Sequence, residues 1–78
     1  MGEEYYYSLV RKNIRKFRNE KGLTQIELAE LADTSNEYLS EIENEKKNKH
    51  FTIATVSRIA EALDVKIADL FDEEIMKK

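Results

Sequence analysis

The spacing of apolar residues near the start of the chain predicts an amphipathic helix. Four residues recur at intervals of four, four and three, which keeps them on one face of an α-helix: Tyr6, Val10, Ile14 and Phe17. Gly22 follows them, and glycine readily adopts the left-handed conformation with which many helices end. We therefore predict that helix 1 ends at Gly22 and buries the face that carries these four residues.

A capping box marks the start of a second helix. Thr24 and Glu27 have the spacing at which the threonine hydroxyl accepts a hydrogen bond from the Glu27 amide, while the glutamate side chain accepts one from the Thr24 amide. The small and apolar residues that follow predict helix 2 up to about Ala32. Asp33 comes next, and we predict a tight turn there because aspartate tolerates the left-handed conformation better than most residues.

A third helix is predicted to begin at Ser35 and to direct Leu39 and Ile42 into the core. Serine is a favoured N-cap residue because its hydroxyl can accept from a free amide of the first turn. Thr34 is a competing cap, since Thr34 and Glu37 also have the spacing of a capping box. Only three residues separate helix 2 from helix 3 if Ser35 is the cap.

The second half of the chain shows helical periodicity after a basic loop. The segment EKKNKHF, residues 45–51, is the longest predicted loop. Helix 4 is predicted from an N-cap at Thr52 to a turn at Asp64, with core positions at Ile53, Val56, Ala60 and Leu63. A last short helix contains Ile67, Leu70 and Phe71, and residues 72–78 form a charged tail.

These elements predict an all-α fold, a compact five-helix bundle with a helix-turn-helix formed by helices 2 and 3. A chain of 78 residues suffices for one domain and leaves little core for an enclosed active site. We therefore expect residues 1–78 to form a single helix-turn-helix domain with its core at about residues 8–71.

Composition excludes several classes of function. The chain has no cysteine and a single histidine, His50, so one chain can form neither disulfides nor thiolate or histidine metal sites. No apolar run approaches the roughly 18 residues needed to cross a bilayer, and the first residues lack the pattern of a signal peptide. We expect a cytoplasmic protein that binds no metal, uses no cofactor and has no contact with membranes.

The distribution of charge is more informative than its sum. The formal net charge is −3, which alone argues against a nucleic-acid partner. However, six of the thirteen basic residues lie between residues 11 and 21, and three more lie with His50 in the segment 46–50. The local electrostatic field, more than the net charge, decides how a polyanion binds, so the charge leaves the type of partner undecided. On helix 1 we interpret four basic residues as a solvated face: Arg11, Lys12, Arg15 and Lys16.

The stretch GLTQIELAELADTSNEYLSEIEN, residues 22–44, resembles the Cro/phage-repressor (XRE) type of helix-turn-helix protein. The resemblance continues through IAEALDVKIADLF and covers roughly residues 10–71. It implies a lambda repressor-like fold and a sequence-specific transcriptional regulator, a repressor that binds a palindromic operator as a dimer and is not an enzyme. The chain departs from the family pattern in its longer loop without proline, and where the family usually has glycine it has Asp33, Glu45 and Asp64.

The resemblance also implies which residues meet double-stranded DNA. Helix 3 would be the recognition helix, since asparagine can pair with adenine and glutamate with cytosine in the major groove. The expected base contacts are Asn36, Glu37, Tyr38, Ser40 and Glu41. Phosphate contacts are expected on either side of helix 3, at Thr24, Gln25, Ser35, Asn44, Lys46 and Lys47. The alternatives are an ordinary place at a helix start for Gln25 and Asn36, and a solvated position for the basic residues of the loop. Tyr38 could instead simply cover Leu28.

Helix 3 carries three glutamates, which is unexpected for an element that approaches phosphates. Glu43 matches the family's glutamate that pairs with an arginine of helix 1, here Arg18, and is expected to stabilise the fold. Glu37 lies in the first turn, where the helix dipole favours a carboxylate, and a bond from cytosine N4 is its alternative role. Glu41 is either a solvated acid or a residue that faces bases.

A second function class remains open at this point. The chain could be a protein-interaction module, antitoxin-like or regulator-binding, whose acidic face meets a basic partner. For the DNA-binding hypothesis we expect a homodimer, because one short helix reads only a few base pairs. The carboxy-terminal end carries more apolar surface than a short helix needs, so we expect helices 4 and 5 to form the interface. The expected interface consists of Leu70, Phe71, Ile75 and Met76, and the alternative is that Leu70 and Phe71 only close the core of the monomer.

Overall fold

The structure is a computed structural model that describes residues 2–77. It contains four α-helices and two short 3₁₀ helices: α1 (Glu3–Glu20), α2 (Gln25–Leu31), α3 (Asn36–Glu43), α4 (Ile53–Leu63), and the 3₁₀ helices Ile67–Phe71 and Glu73–Met76. Residues 2–77 contain no β-strand, and none of their helices is long and apolar enough to cross a membrane. The all-α fold with a helix-turn-helix is confirmed, with a 3₁₀ helix in the fifth position.

The predicted caps begin the helices of the helix-turn-helix. The Thr24 hydroxyl accepts from the Glu27 amide at 3.1 Å, and the Thr24 amide donates to Glu27 Oε1 at 2.9 Å, so the capping box is confirmed. At α3 the Ser35 hydroxyl accepts from the Tyr38 amide at 3.0 Å. Ser35 rather than Thr34 is therefore the N-cap of α3.

The turns after α2 and α4 depend on aspartates in the left-handed conformation. Asp33 has φ 56° and Asp64 has φ 58°, as the sequence predicts, and Gly22 after α1 has φ 71°. A non-glycine residue in this region is strained by about 1 kcal/mol or more. Asn48 in the basic loop also has a positive φ, 49°, whereas Glu45 does not. The loop therefore turns three residues later than the family's glycine pattern suggests.

The core lies between α1 and the helices that cross it. Its fully buried apolar side chains include Leu9 and Ile14 of α1, Leu28, Leu39, Ile42, Ile59 and Leu63. Two predictions of burial are wrong: Tyr6 is 44% exposed and Ile53 is 65% exposed. The buried face of α1 is centred on Leu9, Val10 and Ile14, and Tyr6 lies at its edge, close to the surface.

Asn13 fixes the carboxy-terminal segment to α1. Its amide Nδ2 donates to Leu70 O at 3.0 Å and to Asp72 O at 2.9 Å, and the side chain is fully buried. Leu70 has no exposed surface, so it closes the core of the monomer, and its assignment to a dimer interface is wrong. Phe71 packs partly buried against this core, and Ile75 and Met76 are half-buried.

Candidate nucleic-acid interface

The outward face of α3 gathers most of the residues expected to contact bases. Asn36, Glu37 and Ser40 are exposed, and Glu41 is half-buried. Residues three and four apart share one face of a helix, so these four side chains lie together, opposite the buried Leu39, Ile42 and Glu43. Tyr38 stands apart from them, half-buried against the core. The α-helix thus presents one polar strip of a size that fits a major groove.

An open groove lies beside this strip, between the start of α2 and the end of α3. Its lining brings together residues that are distant in sequence: Arg15, Arg18, Gln25, Ser40, Glu43, Asn44, Glu45 and Lys46. Three of the expected phosphate contacts therefore share one surface, Gln25 from α2 with Asn44 and Lys46 from the loop. Thr24 and Ser35 are exposed at the starts of α2 and α3, and Lys47 is exposed in the loop.

The ion pair expected between α1 and α3 is present on the inner side of this groove. Arg18 Nε donates to Glu43 Oε2 at 2.8 Å and Arg18 NH2 donates to Glu43 Oε1 at 2.9 Å, a bidentate arrangement. Gln25 Nε2 also donates to Glu43 Oε1, at 3.0 Å. Glu43 is only 3% exposed. Its charge is satisfied inside the protein, and it orients the Gln25 amide at the start of α2.

Lys49 compensates the charge of Glu41 on the outward side of α3. Its ammonium lies 3.0 Å from Glu41 Oε1 and 5.4 Å from the centre of the Tyr38 ring. The hydrogen bond from Lys49 lowers the pKa of Glu41 below its ordinary value, and the charge of Lys49 adds to this. A partner for Glu41 could not be predicted from the sequence, because the loop that carries Lys49 has an irregular path.

The loop after α3 is also paired with α1 through Glu45. Lys12 Nζ donates to Glu45 Oε2 at 2.7 Å, and this bond lowers the pKa of Glu45. Arg15 lies 3.7 Å from the same oxygen. Inside the loop, Asn44 Oδ1 accepts from the Lys46 amide at 2.9 Å. Lys12 and Arg15 thus belong to the surroundings of the groove.

Arg11 does not lie on a solvated face, and this interpretation of the sequence is wrong. Its side chain is 1% exposed, with Nε donating to Ile42 O and NH2 donating to Lys49 O, both at 2.7 Å. Burial lowers the pKa of Arg11, while the charges of Glu45 and Glu4 act in the opposite direction. One signal in the sequence was available: Arg11 precedes Arg18 by seven residues, two helical turns, and therefore lies on the same side of α1.

His50 anchors the end of the loop to the start of α1. Its ring stacks on Tyr7 at 4.0 Å, and its Nε2 lies 2.8 Å from Glu4 Oε2, a contact that lowers the pKa of Glu4. Glu3 lies on the other side of the ring, 3.9 Å from Nδ1. One ligand atom from each of Glu3, Glu4 and His50 lies within 4.8 Å of the other two, and all three side chains are exposed. Exposed acidic groups of this kind are common without a metal ion.

Comparison with known proteins places this geometry in a family. The pattern of the helix-turn-helix family matches residues 14–70. The immunity repressor protein of Bacillus phage phi105 is 35% identical over 69 residues, which are 88% of this chain and 46% of the repressor. The uncharacterized HTH-type transcriptional regulator y4dJ of Sinorhizobium fredii is 39% identical over 62 residues, which are 80% of this chain and 78% of the regulator. This chain thus spans less than half of the phage protein.

Among solved structures, the restriction-modification controller protein C.Esp1396I superposes with a TM-score of 0.78. It is 33% identical, and the match covers 94% of this chain and 91% of that protein. The likeness therefore extends over most of the chain and is not limited to the helix-turn-helix. With the family pattern matching most of the chain, this protein belongs to the Cro/phage-repressor (XRE) type of helix-turn-helix family, which consists of DNA-binding transcriptional regulators.

Proposed function

We propose that the chain is a sequence-specific transcriptional repressor that binds a palindromic operator as a homodimer. The observation that carries the proposal is that the exposed polar strip of α3 lies beside a groove in which three residues expected to contact phosphate come together, Gln25, Asn44 and Lys46. Thr24 and Gln25 lie at the start of α2, where free backbone amides favour an anion. Asn44, Lys46 and Lys47 follow the end of α3. An α3 seated in a major groove would thus bring candidate phosphate ligands from both α2 and the loop to the same duplex.

Base reading is assigned to the amino-terminal half of α3. Asn36 is exposed in the first turn, where its amide can pair with N6 and N7 of adenine. Glu37 is exposed beside it and can accept from N4 of cytosine. Ser40 lies one turn later on the same face. Tyr38 is half-buried, and its remaining surface supports a contact at the edge of the site rather than at its centre.

The homodimer follows from the length of α3. Its eight residues extend over about 12 Å, which is enough to read only a few base pairs. Two copies about 34 to 36 Å apart on one face of the duplex would double the site and make it palindromic. Without Leu70, three of the residues expected at the interface remain available: Phe71, Ile75 and Met76.

Selection of bound sequences from random duplex tests this function directly. The expected result is one enriched half-site, present twice in inverted orientation at one helical turn. Sedimentation at tens of micromolar, with and without that duplex, should show a dimer. A monomer in both conditions would refute the homodimer. If no sequence is enriched, the proposal of a sequence-specific repressor is refuted.

A protein-interaction module is the second candidate. It is favoured by the outer face of α2, where Ile26 is 56% exposed and Leu31 is 61% exposed beside the exposed acids Glu27 and Glu30. Such a face suits a partner that carries basic and apolar groups. Salt dependence separates the two candidates, because phosphate contacts give duplex affinity a steep dependence on salt concentration. If the chain binds no duplex at low salt, the interaction module is the better function.

A further inference from the structure

Arg11 is the only arginine of α1 whose side chain is almost completely buried in the part of the chain that the structure describes. Within residues 2–77 its guanidinium forms no ion pair, and its hydrogen bonds go to two backbone carbonyls, Ile42 O and Lys49 O. A buried charge without an opposite charge is costly, and an apolar residue would fill the space with less penalty. Arg11 therefore lowers the stability of the fold relative to an apolar residue, which suggests that its two hydrogen bonds have a function.

The two carbonyls lie at the two ends of the loop that holds the proposed phosphate ligands. Ile42 belongs to the last turn of α3, where carbonyls lack partners within the helix and the dipole favours a positive charge. Lys49 lies seven residues later. One guanidinium thus joins the end of the recognition helix to the far end of residues 43–48, which carry Asn44, Lys46 and Lys47.

The loop between these two points is compact. The Lys47 amide donates to Asn44 O at 3.1 Å, and the Lys46 amide donates to Asn44 Oδ1 at 2.9 Å. Asn48 closes the turn with a positive φ. These bonds fix the shape of the loop, but its placement relative to α3 depends on where its ends are held. Arg11 holds the far end at the Lys49 backbone, and the Lys49 ammonium then reaches Glu41 on α3.

We propose that Arg11 is a positioning residue of the DNA interface, which sets Lys46 and Lys47 in register with α3 by joining Ile42 O to Lys49 O. It acts through the loop and touches no DNA itself. Preorganised ligands bind more tightly because the cost of ordering them is met during folding. The inference rests on the proposed function, since it concerns the phosphate contacts of that same interface.

Arg11→Met tests the proposal. Methionine has a similar length and leaves no unpaired charge, but it cannot donate to either carbonyl. On the selected operator we expect affinity at 0.15 M salt to fall roughly tenfold or more, and the salt slope to decrease by about one to two, as for the loss of one or two phosphate contacts. Adding Lys46→Ala and Lys47→Ala to Arg11→Met should lower affinity by less than the same pair does in the wild-type chain.

Two controls separate positioning from charge and from stability. Lys16→Met removes one positive charge from α1 at a side chain that lies over the Phe17 ring, and it should leave the loop in place. Ile59→Val makes a mild change in the buried core of α4. Both variants should keep the operator affinity within about twofold to threefold, and their salt slopes should stay close to that of the wild-type chain.

The outcomes are distinct. If folded Arg11→Met binds with wild-type affinity and slope, the proposal is overturned while the proposed function stands. If Arg11→Met is unfolded at the assay temperature, Arg11→Lys is measured instead. Lysine keeps the charge but has a single donor nitrogen in place of the guanidinium fork, and a reduced slope supports the proposal. If that variant is also unfolded, or folded with the wild-type slope, Arg11 serves stability alone and the proposal fails. If the wild-type chain binds no duplex, the proposed function fails first.

Discussion

Removal of Glu43 should destabilise the fold more than removal of any other carboxylate on α3. Glu43→Ala takes away the acceptor of three hydrogen bonds, two from Arg18 and one from Gln25. The Arg18 side chain, 15% exposed, then keeps its bond to Leu23 O but loses its counter-charge. Breaking a buried pair costs about 3 to 5 kcal/mol, and partial access of water to Arg18 reduces this to about 2 to 3 kcal/mol.

Such a loss is large for a domain of this size. A stability of about 0.05 to 0.15 kcal/mol per residue amounts to roughly 4 to 12 kcal/mol for the whole chain. For a domain of 60 to 100 residues, each kcal/mol corresponds to about 4 to 8 °C, so Glu43→Ala should lower Tm by roughly 10 to 20 °C. Thermal and urea unfolding followed by circular dichroism measure both quantities.

A double-mutant cycle tests the cause. Arg18→Ala alone should also destabilise the chain, because it leaves Glu43 buried without its arginine. The loss of unfolding free energy in the double variant should be smaller than the sum of the losses in the two single variants, by at least about 1.5 kcal/mol. The reason is that both single changes disrupt the same interaction. The matched control is Lys12 with Glu45, which are close in space but 32% and 46% exposed. Their coupling should stay below about 1 kcal/mol. Additive effects at Arg18 and Glu43 would refute the reasoning.

Three further predictions concern the interface. Alanine at Gln25, Lys46 or Lys47 should weaken binding to all duplexes alike, whereas Asn36→Ala should cost about 1 to 3 kcal/mol on the operator and relax one position per half-site in repeated selections. Changing Glu37 and Glu41 together to glutamine should tighten binding to random duplex at low salt, as measured by fluorescence anisotropy, and reduce the preference for the operator. Unchanged random-duplex affinity would show that both acids face away from DNA. In an NMR titration, Glu41 and Glu45 should titrate below the ordinary glutamate range. Their pKa values are lower in the folded state than in the unfolded state, so the two ion pairs stabilise the folded loop at any pH above the pKa of the unfolded state. This stabilisation should be lost as the pH falls through the pKa values of the folded state.

Local features of the fold were predictable because their causes are local. The capping box of Thr24 and Glu27, the cap at Ser35 and the turns at Asp33 and Asp64 each depend on residues within four positions of one another. Such a hydrogen bond needs no residue from elsewhere in the fold, so the sequence indicates where these helices start and end to within a residue. At α3 the same spacing also made Thr34 a candidate, and the structure selects Ser35.

The rotation of α1 and the partners of its arginines depend on the whole fold. Tyr6 fits the apolar stripe as well as Leu9 does, and only the position of the other helices decides that Leu9 is buried and Tyr6 is at the surface. Arg18 was predicted correctly because the family resemblance supplied its partner, Glu43. For Arg11 the family resemblance supplied no partner. Its partners are backbone carbonyls, which every residue has, so residue types could not identify them.

The three glutamates of α3 are compatible with a DNA-facing helix because each has different surroundings. Glu43 faces inward and its charge is met by Arg18, so a phosphate outside the groove senses little of it. Glu41 is half-buried beside Lys49, and the pair presents almost no net charge to a duplex. Of these three glutamates, Glu37 is the one that is exposed and forms no ion pair with another residue of the range 2–77. The Glu37 carboxylate, which no positive charge compensates, disfavours DNA sequences that place only hydrogen-bond acceptors beside it. It favours sequences that place a cytosine amine there. The acidity of α3 therefore affects which sequence is bound more than how strongly DNA is bound.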